Sequence, residues 1–540
     1  MGIALVIEMR QRIHMPMITR ICLAARLAAC LALAPLAAPI AAQAQSGLPA
    51  LGEASVDELS LAAERRLGQA VFHELVRAGA VFDDPELQDY LQAQAWRLLR
   101  VAVSQGSLTD RLGGSAAALS AQEFYFFPVR DSSINAFALP GGWVGVHTGL
   151  VTAAQTESEL MSVLAHEIGH VTQRHIARMF GEQRQASAWM IAAAVLAAAA
   201  ASQSADAAAG VLSLGQTVAV RQQLAFSQNA EREADRVGFS MLTGAGFDGR
   251  GMVGLFEKLM QAGRFYESSQ APTWLRTHPL TSERVADMRG RLGLVGSSQQ
   301  PVSVKDSVEF VWIRSRLMAQ ADQSVDGLNR MLGLMREELA GAGPAKAAAL
   351  HYGMAWAHLA RRDPLSAVDA ARQARQQAQA AGQSQWVEAL LIHLDQEMAW
   401  LQKDYRRVLS LGQDLLDRHA RSVSLRAGLR LAARAGLESG QPDDLAQSLQ
   451  RLQLVVDRWP SDAEAWRLLA LTNGQLNRRA AAHAASAERY ALSGGWQAAI
   501  EQMDMARRAG DADFVMLSKI DARLSVLRRR LQESKANPLP

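Results

Sequence analysis

His166-Glu167-Ile168-Gly169-His170 decides how the rest of this chain is read. Two histidines four residues apart on a helix lie about 40° apart around its axis, so both imidazoles face one way. Neutral imidazole is a good zinc ligand. Glu167 sits beside the pair, placed to take a proton from a water that a metal has acidified. Five letters recur by chance, so context decides. Upstream, Glu159-Leu-Met-Ser-Val-Leu-Ala165 is a mostly apolar, helix-compatible run. It puts the motif on a buried helix, expected from about Glu157 to Arg178. Polar side chains inside such a run are costly unless something binds them.

Outward from the motif, the third ligand is open. A catalytic zinc usually has three protein ligands and an open position. One solution needs a histidine at 176 and a glycine at 173, but those positions are Ile176 and Gln173. His175 is nine residues from His166, about half a turn around an uninterrupted helix, which makes it a surface or capping histidine. The other solution is a glutamate on a later helix. Glu231-Arg-Glu-Ala-Asp235 offers three carboxylates on a helix running from near Asn229 past Met241 and ending by Gly244 or Gly246. Glu231 shares a stripe with Ala234, Asp235 and Gly238, suited to close packing, whereas Glu233 shares a solvated face with Arg236 and Ser240. Glu231 is therefore the expected ligand. Asp235, one turn on, suits the fixing of a ligand histidine's tautomer. The alternative is a charged surface turn.

Phe124–Val129 and Asn135–Val146, the latter broken at Pro140-Gly141-Gly142, read as extended, and residues 56–105 as helical after a capping-box pattern, Ser55-Val-Asp-Glu58. Residues 186–205 carry no charge, and Trp189–Ala201 is apolar but too short to cross a bilayer. This is either an alanine-rich helix on the catalytic core or a flap touching membrane or substrate. Gly293–Val302 reads as a linker. From Asp306 to Leu531, helical segments are separated by breaks at Arg361–Pro364, Gly440–Pro442, Trp459–Asp462 and Ser493–Gly495. Trp466, Leu469, Ala470 and Ala482 fit tetratricopeptide spacing. A generic helical bundle is the alternative.

A chain of 540 residues, 49% hydrophobic and 20% charged, holds two or more globular units. Its N-terminus reads as a secretory signal: Arg10, Arg12, Arg20 and Arg26, an apolar run Leu27–Ala42, and an A-x-A site at Ala42-Gln43-Ala44. Met15 and Met17 are alternative starts. An uncleaved anchor is disfavoured by Pro35 and Pro39, and a lipobox at Leu27–Cys30 by Arg26. Cleavage removes four arginines and Glu8, so the formal charge falls from +3 to zero. No basic patch remains for nucleic acid. Cys22 and Cys30 leave as well, so the mature chain has no disulfide and no thiolate ligand.

The H-E-x-x-H, the E-x-x-A-D about sixty residues later, and Asn135-Ala-Phe-Ala-Leu-Pro-Gly-Gly142 upstream resemble the HtpX-like zinc peptidases and their soluble relatives. The specific motifs lie between about 130 and 290, and the repeats match in architecture only. The resemblance implies a gluzincin fold, one zinc, peptidase activity and work on outer-membrane proteins. Thr277-His278-Pro279 with Arg284 also resembles a family segment. There His278 or Arg284 would aid the oxyanion, His278 would cap the zinc as a latent fourth ligand, or His278 has no metal role.

The expected architecture is an α+β zinc metallopeptidase, mostly helical with a small sheet, followed by an all-α tetratricopeptide-like solenoid. Its divisions are a signal peptide at 1–44, the peptidase at 45–292, a linker at 293–305, repeats at 306–531 and a tail at 532–540. The expected setting is the periplasm, in association with the outer membrane. Expected partners are unfolded or misassembled proteins and, through the repeats, the outer-membrane assembly machinery, with peripheral membrane contact through 186–205. The competing reading is a chaperone or assembly adaptor with a latent zinc site. Glu167 argues against it, since a binding module has no need of that base.

Overall fold

The computed structural model describes residues 60–109, 119–182, 228–264, 273–296 and 305–536, all within one unit, Asp57–Pro540. The signal sequence, Ser55–Glu58 and residues 186–205 lie outside the described residues.

The first helical stretch is two helices. Ser60 caps α1 (Leu61–Arg77) by accepting from Ala63 N. Asp84 caps α2 (Pro85–Ser104), with proline at the first helical position, where its missing N–H costs nothing. Leu87, Leu91, Ala95, Leu98 and Ala102 form the buried stripe of α2. The extended stretches form a three-stranded sheet of β1 (Tyr125–Val129), β2 (Ala136–Leu139) and β3 (Trp143–His147) in the order β1-β3-β2. β3 runs parallel to β1 and antiparallel to β2. The β2–β3 turn needs its glycines: Gly141 has φ 79°, Gly142 has φ 98°, and a Cβ on Gly141 would lie 2.7 Å from Arg65 Cα.

After α3 (Thr148–Ala153) comes α4 (Glu157–Thr172), in which every residue from Glu157 to Val171 is buried, as its apolar sequence requires. The helix stops six residues before the expected end. Arg174 takes a left-handed conformation, φ 53°, and pairs with the buried Glu64 of α1, Nε to Oε1 2.8 Å. A new helix, α5 (His175–Glu182), starts at once. Then follow α6 (Gln228–Gly244), α7 (Arg250–Arg264), α8 (Thr273–Thr277) and α9 (Ser282–Gly296). α9 carries helix through Gly293–Gly296, where a linker was expected, and 297–304 lie outside the described residues.

Among the described residues, the C-terminal region is twelve helices: α10 (Val308–Gln320), α11 (Val325–Leu339), α12 (Pro344–Ala360), α13 (Pro364–Ala380), α14 (Ser384–Leu401), α15 (Tyr405–Arg418), α16 (Leu425–Ser439), α17 (Pro442–Arg458), α18 (Ala463–Gln475), α19 (Arg479–Leu492), α20 (Trp496–Arg508) and α21 (Phe514–Ala536). Each expected break falls between helices, with Arg362, Gly440 and Gly494 at positive φ. The fold is the expected one: an α+β region, mostly helical with a small sheet, then a helical repeat array. The helices run five residues beyond the expected limit at 531. Among the described residues, no helix is long and apolar enough to cross a membrane.

The two regions are continuous. Phe310, Ile313 and Leu317 of α10 belong to the core that holds α4, while Trp312 and Ala319 belong to the core of the repeats. Glu157, opening α4, accepts from Tyr90 Oη of α2 at 2.7 Å and from Ser307 Oγ, the cap of α10, at 2.7 Å. The metal helix is thus fastened at its start to both regions.

Candidate metal centre and active site

Two close approaches assemble the site. A Cβ on Gly169 of α4 would lie 2.9 Å from Ala234 O of α6, and one on Gly238 would lie 3.0 Å from His166 N. The small stripe on α6 therefore lets the two backbones touch, which carries Glu231 to the two histidines. His278 enters from the residue following α8, its ring stacked on Trp274 with centroids 5.0 Å apart.

One donor atom from each of His166, His170, Glu231 and His278 lies within 4.8 Å of the others, and all four residues are buried. His166 Nε2 is 3.0 Å from His170 Nε2 and 3.3 Å from His278 Nδ1. Glu231 Oε1 is 3.0 Å from His278 Nδ1 and 3.5 Å from His170 Nε2. A tetrahedron built on metal–ligand distances of about 2.05 Å has edges of about 3.3 Å, so the spacing fits a small divalent ion. Charge fits too. Glu167, Glu231 and Asp235 are buried carboxylates and Arg284 is the one buried guanidinium facing them among the described residues. An uncompensated buried anion is costly, and a cation relieves it. Glu167 Oε1 has no hydrogen-bond partner among the described residues and lies 3.5 Å from His278 Nε2.

The ring nitrogens facing away from the cluster are also engaged. His166 Nδ1 is 2.9 Å from Asp235 Oδ1. Arg284 holds Asp235 in a fork, donating from Nε to Oδ2 at 2.7 Å and from Nη2 to Oδ1 at 2.8 Å, and its Nη1 lies 2.8 Å from Glu231 Oε2. Arg284 also donates to Pro279 O at 2.7 Å. Its guanidinium is thus committed to orienting carboxylates and the His278 loop, rather than turned toward an oxyanion. Before any metal binds, burial alone would lower the His166 pKa, but Asp235 and Glu231 outweigh it and push it up to about 9. Burial holds His170 well below the usual imidazole range. Burial raises Glu167, with the neighbouring Glu231 adding to the rise. Burial opposes ionisation of Glu231, yet His278, His166 and His170 keep its carboxyl well below the usual range.

All seven residues singled out in the sequence, His166, Glu167, His170, Glu231, Asp235, His278 and Arg284, meet in this cluster. His175 was misplaced. It is buried, with Nδ1 2.8 Å from His170 Nδ1, because α4 breaks before it. Counting 100° per residue fails across a break, and Gln173-Arg174 carries no glycine or proline to announce one. Trp274 gave no signal either.

Fold and sequence together define a metallopeptidase. Residues 107–292 match the model of peptidase family M48. The chain is 31% identical over 509 residues to the beta-barrel assembly-enhancing protease of Escherichia coli (strain K12), covering 92% of this chain and 94% of that protein. It is 30% identical over 500 residues to the beta-barrel assembly-enhancing protease of Yersinia pestis, covering 90% and 92%. With the mitochondrial metalloendopeptidase OMA1 of Schizosaccharomyces pombe it shares 27% identity over 231 residues, 42% of this chain and 61% of that one. The chain belongs to peptidase family M48 and is a metalloendopeptidase.

Proposed function

We propose that this enzyme is a zinc-dependent endopeptidase of the periplasm that cuts unfolded or misassembled envelope proteins during the assembly of outer-membrane β-barrels. The observation that carries the catalytic part is the convergence of His166, His170, Glu231 and His278 beside Glu167. The setting is supported by the signal-like N-terminus and by near-full-length similarity to proteases named for β-barrel assembly. The division into a signal at 1–44, a peptidase from 45, a junction before 306 and helical repeats beyond it is part of the same reading.

His166, His170 and Glu231 would hold the zinc. When bound, the ion supplies Lewis acidity, which acidifies water and polarises a peptide carbonyl. Glu167 takes the proton of the attacking water and returns it to the leaving amine. Burial raises its pKa, in the direction that favours holding a proton. Asp235 fixes the His166 tautomer, and Arg284 holds Asp235 in place. β2 lies at one edge of the sheet, and an extended client segment would add there as a strand. The repeats would hold clients or the assembly machinery, and 186–205 would touch a membrane or substrate.

His278 gives weight to a second reading. Its Nδ1 lies with the donor atoms of the other three residues, where it would complete a four-ligand, latent site. The protein would then act as an assembly adaptor until that histidine moves. Glu167→Gln separates the two. The peptidase reading expects zinc retained and cleavage of an unfolded test protein lost, and cutting at the wild-type rate would refute the mechanism. Full rescue of envelope assembly by the same variant would favour the adaptor.

A further inference from the structure

We infer that His175 is a positioning residue for His170, joining it through Glu233 and Arg178 to the α5–α6 contact. The inference rests on the reading of His170 as a metal ligand. If His170 presents the Nε2 lone pair to the donor cluster, its proton sits on Nδ1. That nitrogen is 2.8 Å from His175 Nδ1. One proton serves this contact, so His170 donates and His175 accepts. The proton of neutral His175 then sits on Nε2, which is 3.1 Å from Glu233 Oε2. Arg178 Nη2 donates to the same oxygen at 2.8 Å. The resulting order, His170 to His175 to Glu233, gives each of these nitrogens one consistent role.

The two metal-helix histidines are therefore held differently. Behind His166 stands an anion, Asp235, in a buried fork with Arg284. Behind His170 stands a neutral imidazole, and the carboxylate comes one step later, on Glu233, whose side chain is 36% exposed. The helix break makes this geometry. In an unbroken helix, position 175 would lie about 140° around the axis from His170. The left-handed Arg174 turns the chain so that the first residue of α5 folds back under the ring. Glu233, which looked like a surface residue, anchors that fold from α6, the helix that also carries Glu231.

The test measures zinc affinity of the purified full chain by competition with a fluorescent chelator, beside the thermal midpoint of each metal-free chain. Loss of an outer partner of a metal-bound histidine typically costs about 10- to 100-fold in affinity. His175→Leu should weaken zinc binding in that range. His175→Gln, whose amide can accept from His170 and donate to Glu233, should recover much of the loss. Glu233→Ala, changed at a half-exposed position, should weaken binding by a smaller factor and covers the case in which His175→Leu does not fold. A role in packing alone would lower the metal-free midpoint and leave affinity unchanged. Wild-type affinity in both His175→Leu and Glu233→Ala, with binding lost in His170→Ala, overturns the inference. Wild-type affinity in His170→Ala overturns the ligand reading instead.

Discussion

Replacing Glu86 with alanine should loosen the join between the peptidase region and the repeats by several kcal/mol. Glu86 lies in the first turn of α2 and is buried. Its Oε1 is 2.9 Å from His393 Nδ1 of α14 and accepts from Ser424 Oγ, while Arg316 Nε of α10 is 3.4 Å from its Oε2. Arg316 also pairs with Asp84 at 2.9 Å, and Glu397 lies 3.7 Å from the far side of His393. Burial would raise the Glu86 pKa, but His393, Arg316 and Ser424 bring it down from 4.5 to about 2. A fall of that size is worth about 3 kcal/mol of folding stability. It is present above pH 4.5 and lost as the pH falls toward 2. Burial would lower the His393 pKa, but Glu86 raises it. The same interaction seen from His393 is therefore complete below pH 6.5 and is lost as the pH rises through the raised value. The contribution of this pair to stability should be greatest between about pH 4.5 and 6.5. Removing one partner of a buried charge pair costs about 3–5 kcal/mol, while exchanging both for apolar groups is often near neutral. Denaturation of the full chain can be followed by tryptophan fluorescence, to which Trp356 contributes, its ring centroid 6.0 Å from that of His393. Glu86→Ala should lose about 3–5 kcal/mol, and Glu86→Leu combined with His393→Phe should regain most of it. A loss under about 1 kcal/mol in Glu86→Ala, or a double variant as unstable as the two singles added together, would refute the argument.

At the metal centre, Glu231→Ala should lower bound zinc, measured by elemental analysis after dialysis. Unchanged content would move the ligand role to another carboxylate, although Glu233 and Asp235 already face His175 and His166. His278→Ala should raise basal cleavage of an unfolded test protein if the histidine fills the fourth corner, whereas a fall would assign it to the oxyanion. Gly238→Ala places a Cβ 3.0 Å from His166 N. Overpacking of about 1–3 kcal/mol, offset by about 1 kcal/mol of helix propensity, should push α6 away from α4. Weaker zinc binding with little change in the thermal midpoint is the expected pattern, and unaltered zinc affinity would contradict the close-approach reading.

What could be read in the sequence was whatever depends on spacing within one element. The H-E-x-x-H pair, the small-residue stripe that includes Glu231, the β2–β3 turn and the breaks between repeat helices are all local patterns, and the structure places Glu231 beside the two histidines, the turn at its glycines and the breaks between helices. What could not be read lies where the chain changes direction without a marker, or where contacts span hundreds of residues. In the sequence Glu86 is one acid in the first turn of a helix, a favourable place beside the positive end of the dipole. Nothing near it in sequence announces His393 or Ser424. Arg174 falls inside the helix expected to run to Arg178, yet α4 ends just before it and its side chain pairs with Glu64. The two omissions share a cause: each hides a buried ion pair whose partner lies on a distant element. Such pairs contribute little net stability over apolar packing but penalise any arrangement that breaks them. In this chain they sit at the two places that orient the metal helix. Glu64 with Arg174 fixes where it stops, and so where His175 meets His170. Glu86 with Arg316 and His393 fixes α2, which meets the start of the metal helix through Tyr90 and Glu157. Glu157, on which Tyr90 of α2 and Ser307 of α10 converge, ties the start of the metal helix to both regions, beside the apolar contacts that α10 makes with the same core.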